Sequence, residues 1–283
     1  MTTIGQTLPR RPSPSKGGHI ATVNQNASDG ASATVTQEGA DQKATVYQNT
    51  ENYGYVAAEG TSASVVQRGA RNTANVDQFD QNNVAQVTQV GEDGQYTLTQ
   101  RGSADNQGNQ AVGYQAGTGE AATVTQDGNR NYADTYQDGS GNTTEVAQTG
   151  DDNDAYARQY GSNSSVTLTQ EGDGNDAIGV TSGGDGNTAT VSQTGDDNVG
   201  SASASGGDNI ATVSQSGKGH RGDAAAYGQG NEVTVTQTGL NNEAYAYGVG
   251  SNNTVTVTQN DSGNYAYAYS NGTGNQILVT QGQ

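Results

Sequence analysis

The side chains able to do covalent or metal chemistry are few. The chain has no Cys, and its only histidines are His19 and His220, so neither a nucleophilic triad nor a thiolate or histidine metal site can be assembled. Gly217-Lys218-Gly219-His220-Arg221-Gly222 spells the G-x-G-x-x-G of a phosphate-binding turn, but no helical pattern follows it to hold the anion, so it reads as a plain turn. Arg221-Gly222-Asp223 spells a cell-attachment tripeptide, yet it straddles a turn and the start of an alternating segment. The acidic turns Asp151-Asp152, Gly172-Asp173-Gly174-Asn175-Asp176 and Asp196-Asp197 are rich in the oxygens that hold calcium. Gly183-Gly184-Asp185-Gly186-Asn187 also approaches the nonapeptide of a calcium-binding β-roll. That roll carries Asp in most of its turns, whereas the constant turn residues here are Gly and Asn. These carboxylates therefore read as charge that keeps the surface soluble. No catalytic residue, cofactor or metal ligand is predicted, and the chain reads as a non-enzyme.

The chemistry that does recur is the amide. In the stretch 253–281, Asn253, Val255, Val257 and Gln259 share one parity and Thr254, Thr256 and Thr258 the other, the period of a strand with unlike faces. Asn264, Ala266, Ala268 and Ser270 then repeat the inward set opposite Tyr265, Tyr267 and Tyr269, and Asn275, Ile277, Val279 and Gln281 repeat it again. The template is N-x-φ-x-φ-x-Q-x-G-x-x, where φ is apolar or small. It runs back to His19, with insertions confined to turns, because a one-residue slip within a strand would reverse its faces. From Gln170 onward the Gln anchors alternate with Thr181, Ala204, Ala226, Gly248 and Ser270, so the repeat there is a pair of strands, 22 residues long.

These elements predict an all-β chain: a flattened β-solenoid of about 12 rungs, two strands per repeat, with equivalent strands stacked in parallel as in amyloid. The inward set is expected to hold Asn131, Gln137, Asn142, Gln148, Asn153, Gln159, Gln170, Gln193, Asn209, Gln215, Asn231, Gln237, Asn253, Gln259, Asn275 and Gln281. Val213, Val235, Val257 and Val279 should form an apolar column facing Ala202, Ala224, Ala246 and Ala268. The turns fall at Gly128, Gly139, Gly150, Gly161, Gly172, Gly195, Gly217 and Gly239, where positive φ is needed. A further short strand is expected at Gly54–Ala58.

Composition agrees. The 283 residues include 42 Gly but one Phe, one Met and no Trp, too few large side chains for an ordinary globular core. The three prolines, Pro9, Pro12 and Pro14, fall in residues 1–18, which read as a flexible leader; 19–283 form the repeat domain. A net charge of -18 argues against a nucleic-acid partner, no apolar run approaches membrane-spanning length, and residues 1–18 lack the apolar core of a secretory signal.

The spacing Gln126, Gly128, Asn131, Ala133, Gln137, seen again as Gln148, Gly150, Asn153, Ala155, Gln159, closely resembles the curlin repeat of the major subunit of bacterial curli fibres, over about residues 19–283. The resemblance implies a secreted functional amyloid that polymerises with itself at the bacterial cell surface into biofilm matrix fibres. It also implies a minor nucleator subunit and an outer-membrane export pore as partners. The chain departs from the family in having Asn for Ser at most strand openings, more repeats than is typical, and no secretion signal in this numbering. Residues Ile277, Leu278, Val279 and Gln281 are expected to form a polymerisation edge at which copies add head to tail. Two other readings of the surface are an ice-binding solenoid using the outward Thr-x-Thr rows and a calcium-binding β-roll adhesin.

Overall fold

The computed structural model describes residues 4–6, 17–26, 30–49, 60–102 and 107–282. The described residues contain strands and turns and no helix, and parallel stacking of alternate strands makes a β-solenoid of about 11 turns. The chain divides into two compact units, Met1–Ser140 and Gly141–Gln283.

The first unit holds β1 (Ile4–Gln6), β2 (Ile20–Asn26), β3 (Ser32–Ala40), β4 (Lys43–Asn49), β5 (Ser62–Ala70) and β6 (Thr73–Phe79). It continues with β7 (Val84–Glu92), β8 (Gln95–Arg101), β9 (Gln110–Thr118), β10 (Ala121–Asp127) and β11 (Tyr132–Ser140). The second unit begins with β12 (Thr143–Thr149), β13 (Asp154–Ser162), β14 (Ser165–Glu171), β15 (Asp176–Asp185), β16 (Thr188–Asp196), β17 (Val199–Gly207) and β18 (Ile210–Lys218). It ends with β19 (Arg221–Gln229), β20 (Glu232–Leu240), β21 (Glu243–Ser251), β22 (Thr254–Gln259), β23 (Tyr265–Thr273) and β24 (Gln276–Gln281). Within each unit the odd strands form one parallel sheet and the even strands another, each strand pairing with the next of its own parity.

Pairing is in register with the repeat. Val213, Val235, Val257 and Val279 stand in one column, Ala202, Ala224, Ala246 and Ala268 in another. Several steps are longer than 22 residues, among them those of 26 residues from β7 to β9 and from β8 to β10. β3 pairs directly with β5 and β4 with β6, so that Gln37 meets Gln67 and Gln48 meets Gln78 across 30 residues. The segment Gly54–Ala58 lies outside the described residues, and no strand intervenes in either sheet at that point. Within the segment expected as a leader, Ile4–Gln6 pairs in parallel with Ala33–Val35. One residue inserted before Asn187 is absorbed by a register shift at the end of β13 and β15, after which the inward set resumes.

The core is a zipper of unequal side chains. Val166, Leu168, Val191, Val213, Val235 and Val257 of the even strands are fully buried, and the odd strands present Ala or Gly to them. A Cβ on Gly179 would lie 2.5 Å from Val166 Cγ1 and 3.0 Å from Leu168 Cδ2. In the first unit Tyr96 takes an inward position, made possible because Gly113 has no Cβ to collide with its ring, and its hydroxyl bonds Thr135 Oγ1 at 2.8 Å. Each buried Val contributes roughly 1.5–3 kcal/mol from its removal from water. Gly179→Val is therefore expected to overpack this layer and destabilise the fold by about 1–3 kcal/mol. The outward Thr167→Val should stay within about 0.5 kcal/mol of the parent, both read from chemical-denaturation midpoints.

Candidate functional site

Among the described residues the recurring polar feature is the set of inward amides, and these, with the faces they hold in place, are the candidate site. The strand alternation puts each anchor Gln inward and the 22-residue register puts it under the next. In the second unit Gln148 Nε2 donates to Gln170 Oε1 at 2.9 Å and Gln170 to Gln193 at 3.0 Å. Gln193 donates to Gln215, Gln215 to Gln237 and Gln237 to Gln259 at 2.9 Å, and Gln259 to Gln281 at 2.8 Å. The column is directional, because every Nε2 points toward the following repeat. Sequence reasoning missed what the second N–H does. Gln215 Nε2 also donates to Val199 O at 2.9 Å, Gln237 to Arg221 O at 2.9 Å and Gln259 to Glu243 O at 3.0 Å, so one amide ties its own sheet along the stack and the opposite sheet across it.

The first unit carries two such columns. Gln37, Gln67, Gln89, Gln115 and Gln137 run through its odd sheet, and Gln25, Gln48, Gln78, Gln100 and Gln126 through its even sheet. In the second unit the odd sheet abandons the amide. Gln159 Oε1 accepts from Thr144 Oγ1 at 2.7 Å, and beyond Gln159 the column continues in register as Thr181, Ala204, Ala226, Gly248 and Ser270. Thr181 Oγ1 and Asp176 Oδ1 are buried side-chain oxygens without a partner.

Asn at the strand openings closes the turns. Asn231 Oδ1 accepts from the backbone N of Asn253 at 3.0 Å and from its Nδ2 at 2.9 Å. Asn231 Nδ2 donates to Tyr227 O and to Gly250 O of the next turn, both at 2.9 Å. Asn209 and Asn253 repeat the pattern. Gly217 illustrates the turn those carbonyls belong to. Its φ is +131°, and a Cβ there would run into Gly239 O of the stacked turn, so Gly is required both by conformation and by close approach. Asn131, Asn142 and Asn153 are buried like the Gln anchors, whereas Asn275 is exposed and Val279 and Gln281 are half-buried, because β24 pairs only with β22 among the described strands. The spacing five residues past each Gln anchor also identifies Asn175, Asn198, His220 and Asn242, buried members that the expected set left out of the column running on from Asn153.

The motifs weighed for other chemistry are absorbed by the sheets. Residues 217–222 run from β18 through a turn into β19, with no helix. Arg221-Gly222-Asp223 lies within β19, with Gly222 buried and Asp223 Oδ2 accepting from Tyr247 OH at 3.0 Å. The turn carboxylates serve as backbone acceptors: Asp173 Oδ1 takes the N–H of Asp151 at 2.8 Å and Asp196 Oδ1 that of Asp173 at 3.3 Å. Lys218 Nζ lies 3.0 Å from Asp197 and 3.8 Å from Asp196. Among the described residues no group of three or more His, Cys, Asp or Glu is arranged to hold a metal ion, and no helix is long and apolar enough to cross a membrane. Outward on the even sheet, Thr167, Thr190, Thr212, Thr234 and Thr256 stand in one column, which ends at Leu278.

Six copies of the curlin associated repeat match the chain, at residues 128–161, 161–193, 184–217, 208–239, 228–260 and 250–282, together more than half of its length. The chain belongs to the curlin repeat family. No curated protein matches it. Curlin repeats build structural subunits rather than enzymes, and the family forms the extracellular curli fibre. The chain is a curli-type structural protein, and its Gln and Asn columns are the repeat's recurring residues seen as hydrogen-bonded stacks.

His220 makes this stack sensitive to pH. It replaces Asn in its column: its backbone N–H donates to Asn198 Oδ1 at 3.0 Å, its Nδ1 accepts from the N–H of Asn242 at 3.2 Å, and its Nε2 lies 3.2 Å from Ser216 O. Only the neutral ring protonated at Nε2 satisfies all three. Burial lowers its pKa below the ordinary value. The nearest charged side chains in sequence are Lys218, held by Asp196 and Asp197, and Arg221. The unfolded chain binds the proton more readily than the folded one, so the stability contributed by neutral His220 is present above pH about 6.5 and is lost progressively as pH falls below that value. Asp154, Asp176 and Asp223 are shifted up, first by burial, and act in the opposite sense at lower pH. The expected result is a denaturation midpoint that falls between pH 7 and 5 in the parent (window from about 6.5) and is flatter in His220→Asn, which restores the amide.

Proposed function

We propose that this chain is the subunit of an extracellular curli-like amyloid fibre of a bacterial biofilm matrix, adding to itself head to tail and serving adhesion and surface colonisation. The observation that carries the reading is the edge of β24 that no other described strand covers. Its Ile277 and Val279 are half-buried and Leu278 is 74% exposed, while the equivalent Val255 and Val257 one strand earlier are fully buried. Because every Gln donates in one direction, the stack can be extended only by a copy of the same orientation. β2 supplies the matching pattern: Val23 and Gln25 share the register of Val46 and Gln48, and would sit over Val279 and Gln281 of the preceding copy. This contact is heterologous and does not close, which is the geometry of a fibre. A minor nucleator subunit and an outer-membrane export pore are the partners the family relation suggests.

A second reading, ice binding, has the continuous Thr column of β14 to β22 in its favour, and inhibition of ice recrystallisation by soluble monomer tests it. The calcium-dependent adhesin is disfavoured by turn carboxylates already engaged with backbone N–H groups and Lys218, and calcium-independent folding would retire it.

On dilution from denaturant the chain is expected to form unbranched fibres with a meridional repeat of about 4.7–4.8 Å. Ile277→Lys combined with Val279→Lys should slow elongation while leaving the monomer's strand content intact. Monomers that persist under all conditions would contradict the proposal, and unimpeded growth of the double variant would remove β24 as the docking edge.

A further inference from the structure

The outer face of the odd sheet in the second unit carries an aromatic cluster that neither the amide columns nor fibre growth uses. β21 and β23 place Tyr245 beside Tyr267 and Tyr247 beside Tyr269 in the ladder. The rings lean diagonally: Tyr245 and Tyr265 have centroids 6.3 Å apart at 53°, and Tyr247 and Tyr267 lie 5.8 Å apart at 46°. Tyr265 and Tyr267 are both 59% exposed, so small rotations cost little and an oxidant has access. In each pair one phenol already donates to a carboxylate: Tyr247 OH to Asp223 Oδ2 at 3.0 Å and Tyr245 OH to Glu243 Oε1 at 2.6 Å.

Composition decides where an oxidising equivalent would go. The chain has no Cys and no Trp, and its one Met is Met1, so tyrosine is the most easily oxidised side chain in this sheet. We propose that Tyr247–Tyr267, with Tyr245–Tyr265 beside it, is an oxidative cross-linking site that forms dityrosine between stacked repeats when hydrogen peroxide acts through a haem peroxidase. The peroxidase removes one electron from Tyr247 as its phenolic proton passes to Asp223 Oδ2. It removes a second electron from Tyr267, whose proton goes to water. The two radicals couple through the ring carbons ortho to the hydroxyls, and the hydrogens on those carbons move to the phenolic oxygens to restore aromaticity. Two tyrosines and one peroxide give one dityrosine and two waters. The tilt matters, because coupling joins ring edges, and two rings inclined at 46° reach an edge-to-edge approach with a smaller rotation than two parallel ones. Tyr114 and Tyr136, stacked at 12° and 5.0 Å, present faces instead. The bond would join β21 to β23 covalently, a staple in a chain that has no cysteine to make one.

The test treats dilute, soluble full-length chain with peroxidase and hydrogen peroxide, then cleaves before aspartate. Cleavage before Asp261 separates 223–260 from 261–283 unless a cross-link joins them. The expected product is these two peptides joined and lighter by two hydrogens, with blue dityrosine fluorescence, in a yield independent of protein concentration and with Tyr247–Tyr267 identified by fragmentation. Tyr267→Phe should abolish that linkage. Asp223→Asn should slow its formation several-fold while circular dichroism stays unchanged. Joined peptides whose yield rises with concentration, or dityrosine scattered over the exposed tyrosines without preference for these pairs, would overturn the proposal, as would an unchanged rate in Asp223→Asn.

Discussion

A buried primary amide is tolerable only when its oxygen and both of its N–H groups have partners, and this requirement governs the structure. An unsatisfied amide in a core costs on the order of 1–3 kcal/mol, and a core built from Gln and Asn would fail without a systematic answer. Repetition supplies it. Gln237 receives from Gln215, gives to Gln259 and gives again to Arg221 O on the facing strand, so one side chain closes the stack in two directions. The amide that would be a liability in a globular core becomes the crosspiece between two sheets.

Other features follow from that arrangement. A Gln that must reach the opposite backbone needs a thin core, and the thin core is made by setting Val and Leu of one sheet against Ala and Gly of the other, as Leu168 is set against Gly179. Stacked turns must approach closely enough for Asn231 to reach Gly250 O, which leaves no room for a Cβ at the glycine positions. Because the ladder Gln side chains donate to the following repeat and the Asn side chains to the Asn of the preceding one, each stack has a direction. The acidic turns lie outside this system: their carboxylates hold neighbouring backbone N–H groups and keep the surface charged without organising the core.

Much of this was legible in the residues themselves. The alternation around Val255, Val257 and Gln259 shows which side chains face inward, and the 22-residue return of Gln215, Gln237 and Gln259 shows that they stack. What was not legible has physical reasons. The second hydrogen bond of Gln215 and of Gln237 reaches a carbonyl 16 residues earlier, a relation visible only once the two sheets face each other. His220 does not match a template written for Asn, although its imidazole nitrogens reproduce the pattern of acceptor and donor. Tyr96 looks misplaced among inward Ala and Val positions until Gly113 is seen opposite it. The exposure of Asn275 and Val279 follows from their place in a terminal strand, where the template is kept but the next layer is missing among the described residues.

The central claim is that the Gln and Asn amides are structural groups closed to solvent, and hydrogen exchange at the side chains tests it most directly. Individually resolved NH₂ signals of Gln215, Gln237, Asn231 and Asn253 are predicted to exchange only with opening of the stack, near the slow limit of the backbone amides in β18, β20 and β22. Those of the exposed Asn241 and Asn271 should exchange freely. Ladder amides that exchange as fast as Asn241 would contradict the account, because they would be hydrogen-bonding to water rather than to one another.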